Sequence, residues 1–212
     1  MAQVPAGHPE KPEGADGFKL VERMNGGHHE ELSLWGLSFL DVGERDHALD
    51  IGCGGGANLS RLLQRAPQGH VTGVDYSPVS VQASRAHNQD AIAQGRCTVL
   101  DGNASSLPIP DESMDVVTAF ETTYYWDLPT AFAEVARVLK PQGRFLVCNE
   151  DDGESPEALE FARLIPGMVM HTSGQLCEAL RSAGLEVETT EAIPEKGHLA
   201  IVARKPGDGQ RG

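Results

Sequence analysis

The stretch from Ala48 to Leu59, ALDIGCGGGANL, decides the fold. It begins as a short apolar run of strand type and passes into a helix, ANLSRLLQRA, with Gly52, Gly54, Gly55 and Gly56 at the junction. Glycines there let the backbone turn tightly and approach a ligand, whose polar groups meet the free N–H groups of the helix start. The next run, HVTGVD at 70–75, is a second strand that ends on an acid, Asp75. The unit is therefore β-α-β, with a nucleotide-like ligand expected at its turn.

The same alternation continues in both directions. Ser77-Pro78 supplies an N-cap and a first-turn proline for a helix predicted to reach about Ala93, and CTVLD at 97–101 reads as a third strand. MDVVTAF at 114–120 is a fourth strand, 129–139 a helix that stops before KPQGR, and RFLVCN at 144–149 a fifth strand. Strands separated by helices predict a parallel sheet covered on both faces through right-handed crossovers. Thr172 and Gln175 form a T-x-x-Q capping box before a helix closed by Gly184, and LEVETTEAI with HLAIVARK reads as a terminal hairpin. Upstream, apolar residues between Phe18 and Leu40 suggest helical segments broken at Gly26-Gly27, a candidate hinge. Residues 1–17 carry too little apolar surface to offset ordering and are expected to form a tail. The predicted organisation is one domain over 18–205, flanked by tails at 1–17 and 206–212. Within it, 18–42 are N-terminal helices, 46–149 a binding core, and 150–205 substrate-side helices with the hairpin.

At 212 residues the chain suits one α/β domain, and 40% hydrophobic with 23% charged residues is a globular composition. Seventeen Lys and Arg against 31 Asp and Glu give a net charge of −14, with no basic stripe to neutralise phosphates. That balance argues against nucleic acid and anionic membrane surfaces as partners, and favours neutral or cationic small molecules. Cys53, Cys97, Cys148 and Cys177 form no C-x-x-C pair, and the opening residues lack signal-peptide character. Reduced thiols in a cytoplasmic protein are expected.

Two ligands compete for the glycine loop. Gly52, Gly54 and Ala57 satisfy the relaxed dinucleotide pattern, with Asp75 at a compatible distance, so a nicotinamide-dependent oxidoreductase stays open. Asp50, two residues before the first glycine, would repel a pyrophosphate but attract a cofactor that carries an ammonium and a sulfonium, as S-adenosylmethionine does. Asp75 is placed to accept hydrogen bonds from both ribose hydroxyls. Tyr76 is either an adenine-stacking ring or an ordinary half-buried aromatic.

Four motifs in order, LDIGCGGG, VTGVDYS, DGNASSLPIPDESMDVV and EVARVLKPQGRFLV, resemble those of the class I S-adenosylmethionine-dependent methyltransferases over about 48–148. The resemblance implies a Rossmann-like α/β fold whose seven-stranded sheet has the order 3-2-1-4-5-7-6, with the last strand antiparallel. It implies that Asp50, Gly52 and Gly54, in a loop that includes Cys53, hold the methionine end of S-adenosylmethionine, Asp75 the ribose, and Asn103-Ala104 the adenine edge. Where the family commonly has an acid this chain has Asn103, an amide able to donate as well as accept. Glu121, near the start of FETTYYW, would border the methionine part, with Tyr124, Tyr125 and Trp126 walling the acceptor pocket or simply covering the sheet end. The product would be S-adenosylhomocysteine and the acceptor a small molecule or peptide end; a non-catalytic cofactor-binding module is the alternative.

The segment ERMNGGHHEELSLWGLSFLD at 22–41 resembles the N-terminal segment of some small bacterial members, where it lies over the cofactor as a lid. His28 and His29 would then either reach the acceptor or stand exposed on the lid, and His28 and Tyr125 are the candidate proton-handling residues. No metal site is expected from His28, His29, Glu30 and Glu31, since adjacent ligands rarely converge without a distant partner. The acidic run Glu150, Asp151, Asp152, Glu154 and Glu157 reads as a solvated helix entrance that also attracts cations. Ile165, Met168, Val169 and Met170 are expected to pack under the terminal helix rather than line a pocket.

Overall fold

A computed structural model describes residues 28–207. Its strands are β1 (His47–Ile51), β2 (His70–Asp75), β3 (Cys97–Asp101), β4 (Met114–Phe120), β5 (Leu139–Asn149), β6 (Glu186–Ile193) and β7 (His198–Arg204). The helices are α1 (His28–Leu37), α2 (Ala57–Arg65), α3 (Pro78–His87), α4 (Gln89–Ala93), α5 (Leu128–Val138), α6 (Pro156–Ala162) and α7 (Ser173–Ser182). The strands form one sheet in the order β3-β2-β1-β4-β5-β7-β6, parallel from β3 to β5, with β7 antiparallel to both neighbours. This is the topology the motifs implied.

Both faces of the sheet are covered, so β1 and β4 are buried almost throughout rather than alternating between buried and exposed. On one face Leu49, Ile51, Val117, Phe145 and Val147 pack against Phe132 and Val135 of α5 and Leu176 and Leu180 of α7. On the other, Ala48, Val116, Leu146 and Cys148 meet Leu32 and Leu37 of α1, and Leu59 and Leu62 of α2. Each fully buried side chain of this size stabilises the fold by roughly 1.5–3 kcal/mol. The stripe Leu32, Ser33, Gly36 and Leu37 is the buried face of α1. A Cβ at Gly36 would stand 2.5 Å from Cys148 Sγ, so the helix backbone itself lies against β5. Leu32, Ser33, Gly36 and Leu37 are thus built into the core, and the Gly26-Gly27 hinge lies outside the described residues.

Two boundaries differ from the sequence reading. The helix predicted over 78–93 breaks at Asn88, whose side chain donates from Nδ2 to the Gly56 carbonyl and accepts from Ser60 Oγ through Oδ1. That amide ties the helix end to the glycine loop. β5 starts at Leu139, which pairs with Met114 before a bulge. Lys205 anchors this start by donating to the Leu139 carbonyl at 2.7 Å. The capping box is present: Thr172 Oγ1 accepts from Gln175 N and Gln175 Oε1 from Thr172 N. Among the described residues, no helix is long and apolar enough to cross a membrane.

Candidate functional site

The carboxyl ends of β1, β2 and β4 open onto a cavity of about 380 Å³, the place where open α/β sheets bind ligands. Its floor is the glycine loop. Gly52 lies at φ 73°, and a Cβ there would meet Thr122 Oγ1 at 2.3 Å, so both conformation and space demand glycine. The loop is pinned from below by Gly52 N and Cys53 N, which donate to the Val74 carbonyl at 2.8 and 3.1 Å.

Asp75 ends β2 at the cavity wall, buried. Its two oxygens accept from Gly54 N and Ser77 N, each at 2.9 Å. Burial raises its pKa, and these N–H groups oppose the rise. The backbone N–H of Tyr76 adds a third contact, and the carboxylate keeps lone-pair capacity for a ligand. Tyr76 is part-exposed on the same wall. Asn103 and Ala104 line it opposite, after β3. Asn103 Oδ1 accepts from Ser105 N at 2.9 Å, so what it offers a ligand is its NH₂ group.

Asp50 and Cys53 are placed differently from the sequence reading. Asp50 is buried below the loop and does not line the cavity. Thr118 Oγ1 donates to it at 2.6 Å, yet burial pushes its carboxyl up to about 7. Cys53 is buried with Sγ 3.7 Å from Ser84 Oγ, and it borders a second, smaller cavity of about 70 Å³. Its thiol is pushed well up by burial and by the nearby carboxylates, so it is unreactive.

At the end of β4 the chain turns through Glu121 at φ 56°, which lines both cavities. Its carboxylate accepts from the Tyr124 hydroxyl at 3.2 Å and, through a short contact, from Glu150 N. Burial, then the neighbouring Glu150, raise its pKa to about 8. Tyr125 and Trp126 line the main cavity, whereas Tyr124 is buried and its hydroxyl donates to Glu121. Trp126 is held edge-on against Phe132, ring centroids 6.3 Å apart.

The far wall comes from the turn after α6. Pro166 and Gly167 line the cavity, and Val169 N donates to the Tyr124 carbonyl at 2.8 Å, tying this turn to the aromatic segment. Of the four apolar residues expected to pack here, Ile165 is buried but Val169 is 52% exposed. The sequence reading missed Pro166, Gly167 and Thr122; the Pro-Gly pair was the available turn signal. The side chain of His28 lies outside the described residues. His29 is the histidine brought to the site, with Nδ1 3.8 Å from Glu150 Oε2. The two acids that follow it point elsewhere: Glu31 pairs with Lys196, and Glu30 faces Arg61 at 3.9 Å.

Comparison with known proteins places this geometry among relatives. Residues 49–147 match the family model described as "Methyltransferase domain". A probable S-adenosylmethionine-dependent methyltransferase of Mycolicibacterium smegmatis is 32% identical over 166 residues, covering 75% of this chain and 59% of that protein. The ubiquinone/menaquinone biosynthesis C-methyltransferase of Paracoccus denitrificans is 29% identical over 90% of this chain and 77% of its own length. Among solved structures, a Haloferax volcanii complex of the Trm112 methyltransferase activator with a candidate methyltransferase gives a TM-score of 0.81 at 26% identity, covering 89% of this chain and 94% of that one. The Streptomyces coelicolor geranyl diphosphate C-methyltransferase shares the fold, with TM-score 0.75 at 17% identity over 92% of this chain and 85% of that one. The chain spans 59%, 41% and 43% of the first three curated relatives.

Proposed function

We propose that the chain, which over residues 49–147 is similar to the methyltransferase-domain family, is a class I S-adenosylmethionine-dependent methyltransferase acting on a small-molecule acceptor in the cytoplasm. The observation that carries this reading is the continuity of the cavity: one wall offers nucleoside contacts and the other an aromatic and acidic pocket.

The residues present suit the cofactor. Asp75 would accept from the ribose hydroxyls, Asn103 would donate to an adenine ring nitrogen beside Ala104, and Tyr76 would cover the base. The loop Gly52–Gly54 would hold the methionine end close to the backbone. Asp50 would act from below, its negative charge favoured once a cation lies above the loop. Bound S-adenosylmethionine would supply a methyl on a sulfonium, open to in-line displacement by an acceptor lone pair.

The chain's own part is then alignment. Tyr125, Trp126, Pro166 and Gly167 would confine the acceptor against Glu121, where proximity provides most of the rate. Glu121, its carboxyl raised to about 8, would be mostly protonated near neutral pH and would border the acceptor as a hydrogen-bonding group, while the proton-handling candidates remain His28 and Tyr125, of which Tyr125 lines the cavity. Four buried, unbridged cysteines agree with a reducing compartment.

The test is incubation with methyl-labelled S-adenosylmethionine and size-fractionated cell extract. Enzyme-dependent label in the small-molecule fraction is expected. Tight binding of S-adenosylhomocysteine without label transfer would make the protein a binding module, and stabilisation by NAD(H) alone would return it to the oxidoreductases.

A further inference from the structure

We propose that His29, Glu121 and Glu150 form a binding site for one divalent first-row metal ion at the acceptor end of the cavity. The three residues come from α1, from the end of β4 and from just after β5, and their donor atoms all lie within 4.8 Å of one another. Ligands about 2.1 Å from a common ion stand roughly 3–4.2 Å apart, so modest side-chain rotation closes the set. Sequence-adjacent acids and histidines lacked a distant partner; the fold supplies two, 92 and 121 residues beyond His29.

Space and charge agree with the donor geometry. His29 and Glu121 line the same cavity of about 70 Å³, room for an ion with one water. Glu121 is held by a tyrosine hydroxyl and a backbone N–H, with no lysine or arginine on it among the described residues. The neighbouring acids differ: Glu31 lies on Lys196 and Glu30 faces Arg61. One imidazole with two carboxylates is a donor set for Mn²⁺ or Zn²⁺ rather than for Ca²⁺. Because Glu121 also lines the main cavity, the ion would stand within reach of an acceptor's oxygen. The substrate class that follows is an acceptor bearing an oxygen anion, an inference that rests on the methyltransferase reading, whereas the ion site itself does not.

Mn²⁺ alone, titrated into the full chain without cofactor and followed by loss of the free-ion paramagnetic resonance signal, tests the site. One ion per chain is expected, with binding weakened about 10-fold or more in both His29→Ala and Glu150→Gln. These side chains are 32% and 39% exposed, so both variants should fold, which their thermal unfolding checks. Absence of Mn²⁺ and Zn²⁺ binding by the unaltered chain overturns the proposal. So does binding that neither substitution changes. S-adenosylhomocysteine affinity, measured on the same samples, reports on the cofactor reading separately: loss of that binding with the ion still held would sink the methyltransferase reading and leave the ion site standing.

Discussion

Between Ile51 and Ser77 the cavity wall is largely backbone: Gly52 and Cys53 donate to Val74, and Gly54 and Ser77 to the carboxylate of Asp75. Between Glu121 and Gly167 it is side chains carried by separate elements, joined by contacts such as Tyr124 on Glu121 and Val169 N on the Tyr124 carbonyl. A backbone wall fixes one ligand shape whatever residues surround it, while a side-chain wall can be re-cut by substitution. Under the proposed function, the nucleoside half would be the more rigid of the two, and the acceptor half the one that substitution can reshape.

The sharpest way to break this contrast is Gly52→Ala. The added methyl must enter space held by Thr122 in a left-handed backbone, so we expect roughly 2–4 kcal/mol of lost stability and loss of S-adenosylhomocysteine binding, read by chemical unfolding and calorimetry. Near-normal binding would show that the backbone wall is not rigid.

Asp50→Asn probes the charge beneath the same loop. The folded carboxyl titrates at about 7 instead of 3.8, so the folded state holds more protons between these values and stability falls as pH rises from about 4 to 7. The substitution should flatten that slope and raise stability at pH 8 by an amount on the order of a few kcal/mol, with little change at pH 3. An unaltered slope would place the titration elsewhere. Asp75→Ala should weaken S-adenosylhomocysteine about 30- to 100-fold, since two charge-assisted hydrogen bonds are lost.

On the other wall, Trp126→Ala should raise the acceptor KM several-fold and leave S-adenosylhomocysteine affinity within about twofold. Equal losses on both sides would mean that the two walls are one unit. The smallest effect is expected for Thr172→Ala, which removes half of the α7 capping box and should cost about 1 kcal/mol in thermal unfolding without touching either ligand.

The same contrast explains what could be read from the sequence. Gly52 and Asp75 sit in local patterns whose chemistry is carried by spacing, Asn103 was named through the family resemblance, and the structure puts all three on one cavity. Asp50 shares that spacing but faces inward, because alternation along β1 places it on the face of Ala48 rather than with Leu49 and Ile51. His29 and Glu150 lie 121 residues apart, and no local pattern announces their meeting. The break at Asn88 was hidden for a related reason: its cause is a carbonyl at Gly56, a tertiary demand that helix propensity does not contain.

The position of β7 has a consequence for synthesis on the ribosome. β6 emerges first but touches the sheet only through β7, so it has nowhere to dock until His198–Arg204 has followed it. Until then the nascent sheet ends at β5, with Phe145, Leu146 and Val147 along an unpaired edge. The growing chain therefore passes through a window in which a strand-binding chaperone, or a second nascent copy, competes with β7 for that edge.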